Sequence, residues 1–163
     1  MCTKNRALTI SVSPCTARLP LRHLRTEYLG STVPTIVAQA DVNSKEITLV
    51  ATHPLPAVSA EYASARDSQL EAVVDAYGES TESRLLIGDL NISMWSPICR
   101  RVFGKSGLRN TCESFGVMTS WQHGSLLQIP IDMALCDPRI LVSTCDIGPE
   151  LGSDHRPLIV EFR

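Results

Sequence analysis

Leu70, Val73, Val74 and Tyr77 recur at the three- and four-residue spacing that lines one face of a helix. Ser59 stands where a helix start wants a capping hydroxyl, and Gly78 stands where a stop belongs, so the pattern predicts a helix over Ala60–Tyr77. A second helix is predicted over Pro97–Phe103, ending near Gly104 and Gly107. Ala7–Val12 (ALTISV) alternates well enough for a strand, and Pro14, Pro20 and scattered arginines then mark a loop or edge region. Thr35–Asp41 and Ile47–Thr52 read as two strands, with the polar Asn43, Ser44 and Lys45 suited to a hairpin turn between them. Arg84–Gly88 (RLLIG) is a short apolar run of the kind buried on both faces of a sheet. Ile131–Cys136, Ile140–Cys145 and Leu158–Phe162 read as three more strands. Strands and helices interleave, but the hairpin spacings favour an α+β fold with a mixed sheet over a doubly wound one.

Composition narrows this picture only slightly. A chain of 163 residues is one ordinary domain, and 44% hydrophobic with 20% charged residues is a globular balance. Aromatics are sparse at 5%, so the core must rest on Val, Ile, Leu and Ala. A net charge of −2 argues against a broad basic face for nucleic acid, although Arg100, Arg101 and Lys105 form a local basic cluster. The six cysteines, at 2, 15, 99, 112, 136 and 145, form no CxxC pair and no zinc spacing, which favours reduced, buried thiols. No apolar run is long enough for a transmembrane helix or a secretory signal, so the default expectation is cytoplasmic.

Four short segments carry candidate chemistry. Gly88-Asp89-Leu90-Asn91 follows the RLLIG strand, and residues two apart in extended chain project to the same side. Asp89 and Asn91 would then offer a carboxylate to orient water and an amide to hold a phosphate oxygen. Taken alone, the tetrapeptide reads equally well as a turn after a strand. Ser153-Asp154-His155-Arg156-Pro157 precedes the last strand and pairs a hard oxygen ligand with an imidazole that titrates near neutrality. Alone, it is also a capped polar loop. Asp132 begins the apolar stretch IDMALC, where a carboxylate is costly without a partner such as an imidazole, unless the strand is an exposed edge. His53, in Thr52-His53-Pro54 after ITLVAT, is by itself more often an ordinary surface or core residue.

In this order, THP, GDLN, PID and GSDHRP resemble the endonuclease/exonuclease/phosphatase superfamily, which includes DNase I-like nucleases, inositol polyphosphate phosphatases and neutral sphingomyelinases. The resemblance runs from about Gly30 to the C-terminus. It is nearest to a bacterial subgroup with the flavour THPLPxVSAEYxxARDxQL…LLIGDLNxxxWSP…IPID…GSDHRPLIV, many members of which carry membrane-spanning helices ahead of the catalytic domain. It implies a DNase I-like four-layer αββα sandwich and hydrolysis of a phosphoester by in-line attack of water with Mg2+ or Mn2+. By that resemblance Asp89 orients the water, Asn91 holds the scissile phosphate and Asp154 is a metal-site carboxylate. His155 lies near the phosphate, Asp132 pairs with it, and His53 contacts the phosphate or the leaving group. The substrate class stays open among nucleic acid, a phospholipid head group and a small phosphodiester.

Two departures accompany the resemblance. Met133 replaces the histidine of the subgroup's IPIDH; it should face away from Asp132 along the strand. The family's early asparagine and its metal-binding glutamate in a QE segment have no counterpart, Glu27 being the one nearby glutamate and poorly placed. The expectation is a single domain over 1–163 with the N-terminal portion of the fold missing, weak or absent activity, and a twofold homodimer covering the exposed edges. The rival expectation is a non-catalytic remnant acting as an interaction or scaffold protein.

Overall fold

The computed structural model describes residues 20–42, 44–78, 81–123 and 126–162. Within them the order of elements is β1 (Leu21–Glu27), β2 (Thr35–Val42), β3 (Lys45–Thr52), α1 (Ala60–Tyr77), β4 (Ser83–Asp89), α2 (Pro97–Ser106) and β5 (Arg109–Asn110). Then come β6 (Trp121–His123), β7 (Leu127–Ile129), β8 (Asp132–Cys136), β9 (Val142–Ile147) and β10 (Leu158–Phe162). The strand expected over Ala7–Val12 lies outside the described residues.

Six strands form one sheet in the order β1-β2-β3-β4-β8-β5. β3 and β4 run parallel because α1 crosses between them, while the other neighbours are antiparallel, so the sheet is mixed. β9 with β10 and β6 with β7 form two separate two-stranded ribbons. β1, absent from the sequence reading as a strand, is the sheet edge: its polar run is mostly exposed and gives no alternation to detect.

The sheet has two different faces. On one, Val37, Val50, Leu86, Met133 and Leu135 pack against Leu70, Val73 and Val74 of α1 and Ile98, Cys99, Val102 and Phe103 of α2. Fully burying a side chain such as Leu70 contributes about 1.5–3 kcal/mol. On the other, Ala40, Ile47, Leu49, Leu85 and Cys136 meet Val142 of β9 and Phe162 of β10. Met133 therefore points into the helix-side core, opposite in sense to its neighbour Asp132.

α1 has the expected limits: the Ser59 hydroxyl accepts from the Tyr62 N–H, and the Gly78 N–H closes on the Val74 carbonyl. α2 runs to Ser106 and ends on Gly107 at φ +67°, the left-handed stop that glycine provides without strain. At the far end of the sheet Asp137 receives Arg84 and Arg139, and Arg139 also donates to the carbonyls of Thr81 and Glu82. This clasp ties β4 to the turn after β8, and the bonds from Arg139 above all hold the Asp137 carboxyl down to about 2.

Cys99 and Cys136 are free and buried, as expected of reduced thiols. Cys112 and Cys145, by contrast, are joined in a disulfide with Cα atoms 5.3 Å apart, tying the turn after β5 to β9. A spacing of 33 residues gave no sign of it in the sequence, because the pair meets only once the β9–β10 ribbon lies beside the sheet. No helix among the described residues is long and apolar enough to cross a membrane.

Candidate active site

Where β3 and β4 end side by side, the chains approach so closely that only glycine fits. Gly88 sits at φ +152°, and a Cβ there would lie 1.8 Å from the Thr52 carbonyl oxygen. That contact delivers His53, just past Thr52, beside Asp89, just past Gly88. The His53 Nε2 lies 3.3 Å from Asp89 Oδ2. This bond is the main reason that the His53 imidazole titrates above its ordinary value, with partial burial opposing the shift.

Asp89 and Asp132 are directly opposed in the β4–β8 register, so two carboxylates share one face of adjacent antiparallel strands. Like charges so placed repel, and Asp89 is buried, which makes a compensating group necessary. His155 lies between the two carboxylates, beside His53 on the Asp89 side. Its Nδ1 is 2.8 Å from Asp132 Oδ2 and its Nε2 is 3.6 Å from Asp89 Oδ2. The short side of this bridge lies at Nδ1, and Nε2 is on the side of Asp89.

The other oxygen of Asp89 is also fixed. Oδ1 accepts the Asn91 backbone N–H at 2.9 Å, and the Asn91 amide donates to the Pro54 carbonyl at 2.9 Å. Asn91 holds φ +50°, a left-handed conformation that asparagine adopts more readily than other non-glycine residues. The Asn91 carbonyl accepts from Arg66 of α1 at 2.8 Å.

The segment carrying His155 is held by residues 120–122. The Arg156 N–H donates to the Ser120 carbonyl, the Gln122 N–H to the Asp154 carbonyl, and Trp121 and His155 form a β-bridge. The buried Ser120 hydroxyl receives the Asp132 N–H at 3.1 Å, so one residue braces both halves of the Asp132–His155 pair. Trp121 donates its indole N–H to Asp154 Oδ2 at 3.0 Å, which lowers the Asp154 pKa. Neither Trp121 nor Ser120 was marked by sequence, since their partners lie 33 and 12 residues away.

All six candidate residues thus stand in one linked neighbourhood. His53, Asp89, Asn91, Asp132 and His155 contact one another in a chain, and Asp154 joins through its neighbour His155 and through Trp121. No three His, Cys, Asp or Glu side chains converge as a metal cage among the described residues. Asp154 is exposed, and its Oδ1 lies 3.4 Å from the Ser153 hydroxyl. One open carboxylate oxygen fits, in kind and number, a hard cation that keeps most of its water and shares a substrate phosphate. Glu27 does not add to it: its oxygens accept from Arg25 and Tyr77.

Comparison with known proteins bears on the family and the fold. Residues 13–155 match the model of the endonuclease/exonuclease/phosphatase family. No curated protein matches the chain. Among solved structures, an endonuclease/exonuclease/phosphatase from Beutenbergia cavernae superposes with TM-score 0.76 at 19% identity, over 90% of this chain and 46% of that one. A family protein from Leptotrichia buccalis gives 0.71 at 12% identity, over 90% of this chain and 62% of that one. D. rerio TDP2 complexed with a single strand DNA product gives 0.74 at 16% identity, over 90% and 69%. The fold they share with this chain is α+β and DNase I-like, and the chain spans about half to two-thirds of the first two proteins' lengths.

Proposed function

This chain belongs to the endonuclease/exonuclease/phosphatase family, and from that premise we propose that it hydrolyses a phosphoester at the Asp89–His155 site by direct attack of water. The observation that carries the proposal is the bridge: one imidazole spans two opposed carboxylates, 2.8 Å from Asp132 and 3.6 Å from Asp89.

In this mechanism Asp89 orients the attacking water and accepts its proton as the new P–O bond forms opposite the leaving oxygen. Its Oδ1 is held by the Asn91 N–H, which keeps Oδ2 facing the two histidines. Asp132 fixes the tautomer and orientation of the His155 ring, which faces the phosphoryl oxygens. The Asn91 amide has a second N–H beyond the one given to Pro54, and offers it to the phosphate. His53, which Asp89 keeps protonated to higher pH, gives its proton to the departing oxygen or holds the phosphate. No covalent intermediate forms. Mg2+ or Mn2+, held by Asp154 with water and phosphate oxygens, would neutralise charge on the phosphate. The substrate is a nucleic acid, a phospholipid head group or a small phosphodiester.

The test is hydrolysis of bis-p-nitrophenyl phosphate and p-nitrophenyl phosphate with millimolar Mg2+ or Mn2+, beside an Asp89→Ala control. Turnover that the control loses supports the proposal. Turnover equal to that of the folded control removes it, and leaves the chain an interaction module on a hydrolase fold.

A further inference from the structure

We propose that Arg66 is a positioning residue of this site, whose guanidinium holds the Asn91 carbonyl and thereby keeps Asp89 aimed between the two histidines. The kinetic arm of its test rests on the hydrolase proposal above; the structural arm does not. Arg66 and Asp67 are adjacent residues of α1, in the stretch Ala65-Arg66-Asp67-Ser68-Gln69-Leu70.

The reasoning begins at Asn91. Asparagine tolerates a left-handed φ of +50° better than most residues, yet it stays there only where local bonds hold it. Three bonds do so. The backbone N–H goes to Asp89 Oδ1 and the side-chain amide to the Pro54 carbonyl, both within the loops of the site. The third comes from the helix: Arg66 Nη1 reaches the Asn91 carbonyl at 2.8 Å.

Arg66 is itself fixed before it reaches Asn91. Its side chain is 11% exposed, and Nε and Nη2 both donate to Asp67 Oδ1, at 2.8 and 2.6 Å. A planar guanidinium gripped on one edge presents its remaining nitrogen in one direction, which a lysine cannot do. The chain Asp67–Arg66–Asn91–Asp89 therefore runs from the body of α1 to the carboxylate at the centre of the site. If the Arg66 bond is lost, residue 91 keeps only its bonds to Asp89 and Pro54, and its backbone leaves the left-handed region more often. The Asn91 N–H then no longer pins Oδ1, and Oδ2 loses its fixed place between His53 and His155.

Arg66 does not touch the proposed reacting atoms, so its removal should weaken turnover without weakening substrate binding. The experiment uses the whole chain with Arg66→Met and Arg66→Lys. Amide hydrogen exchange by NMR is the arm free of activity. In Arg66→Met the Asn91 N–H is expected to lose about tenfold or more of its protection, as for a local opening. The Leu90 N–H, bonded to the Ile131 carbonyl at 2.9 Å, reports whether the strand end itself is intact and should keep its protection. In the kinetic arm, with bis-p-nitrophenyl phosphate and Mn2+, kcat falls about tenfold while KM stays within about twofold. Added guanidinium ion at tens of millimolar restores part of the loss in Arg66→Met, and Arg66→Lys lies between the two.

Unchanged Asn91 protection in Arg66→Met overturns the proposal, as does a raised KM with unchanged kcat, which would make Arg66 a substrate ligand. If Arg66→Met does not fold, Arg66→Lys decides by the same two measurements, full protection and full kcat overturning it. If the wild type shows no turnover above Asp89→Ala, the hydrolase proposal has failed, and the exchange measurement decides Arg66 alone.

Discussion

Asp132→Asn removes the charge behind His155 while keeping the size of the side chain. The bond it alters is 2.8 Å long, between side chains that are 31% and 23% exposed. A hydrogen bond to a charged group contributes about 1.5–3 kcal/mol. At about 1.4 kcal/mol per tenfold, full loss of that bond in the transition state slows turnover by about 10- to 150-fold. Partial exposure places the expectation in the lower half of the range. The assay is kcat for bis-p-nitrophenyl phosphate with Mn2+ across pH, with Asp132→Asn, His155→Ala and the double variant. Because Asp132 acts chiefly through His155, the double variant should be little slower than His155→Ala. Nitrogen-15 spectra of the His155 ring provide a check without turnover, since the Nδ1–H signal should shift or disappear in Asp132→Asn. Fully additive losses, or an unchanged kcat together with an unchanged His155 ring, would refute the reasoning and make the contact incidental.

Three further outcomes are expected. Asp137, buried and held to about 2 from an ordinary 3.8, contributes about 2 kcal/mol that is fully present above pH 4 and is lost as pH falls through 2. Denaturant midpoints of wild type and Asp137→Asn should converge over that window. His53 should titrate above 6.5 by proton NMR and fall back toward it in Asp89→Asn; an unmoved midpoint would show that the Asp89 contact does not set it. Reducing Cys112–Cys145, which closes a 33-residue span, should lower stability by about 3–4 kcal/mol on the chain-entropy model, read as a shift in urea midpoint with and without dithiothreitol.

What could be read in the sequence divides along physical lines. α1 was legible to the residue because its apolar stripe, its capping Ser59 and its Gly78 stop all agree. β2, β3 and β4 were legible because burial demands apolar runs. β9 was placed two residues early: Ile140 is apolar because it is buried in the turn from Asp137, before the strand begins. β1, β5, β6 and β7 were missed because exposed strands and strands of two or three residues carry little burial signal. The six candidate residues stood out because short motifs at strand ends survive in linear order. Their support did not. Trp121, Ser120 and Arg66 bond to the site across 33, 12 and 25 residues of chain, and their residue types alone announce nothing.

The thiol pair also sets the conditions under which this molecule can be handled at all. Cys145 is paired with Val160 on β10, the strand that His155 introduces, and Cys112 follows the short strand beside β8, where Asp132 begins. The crosslink therefore fastens together the two pieces of chain that each bring one member of the Asp132–His155 pair. Bonds of this kind persist in secretory and periplasmic spaces and are rare in a reducing cytosol. Material made in an oxidising host and material made in an ordinary bacterial cytosol would then be two different preparations, one with the fastening and one without. A reductant added out of habit during purification would convert the first into the second before any rate was measured.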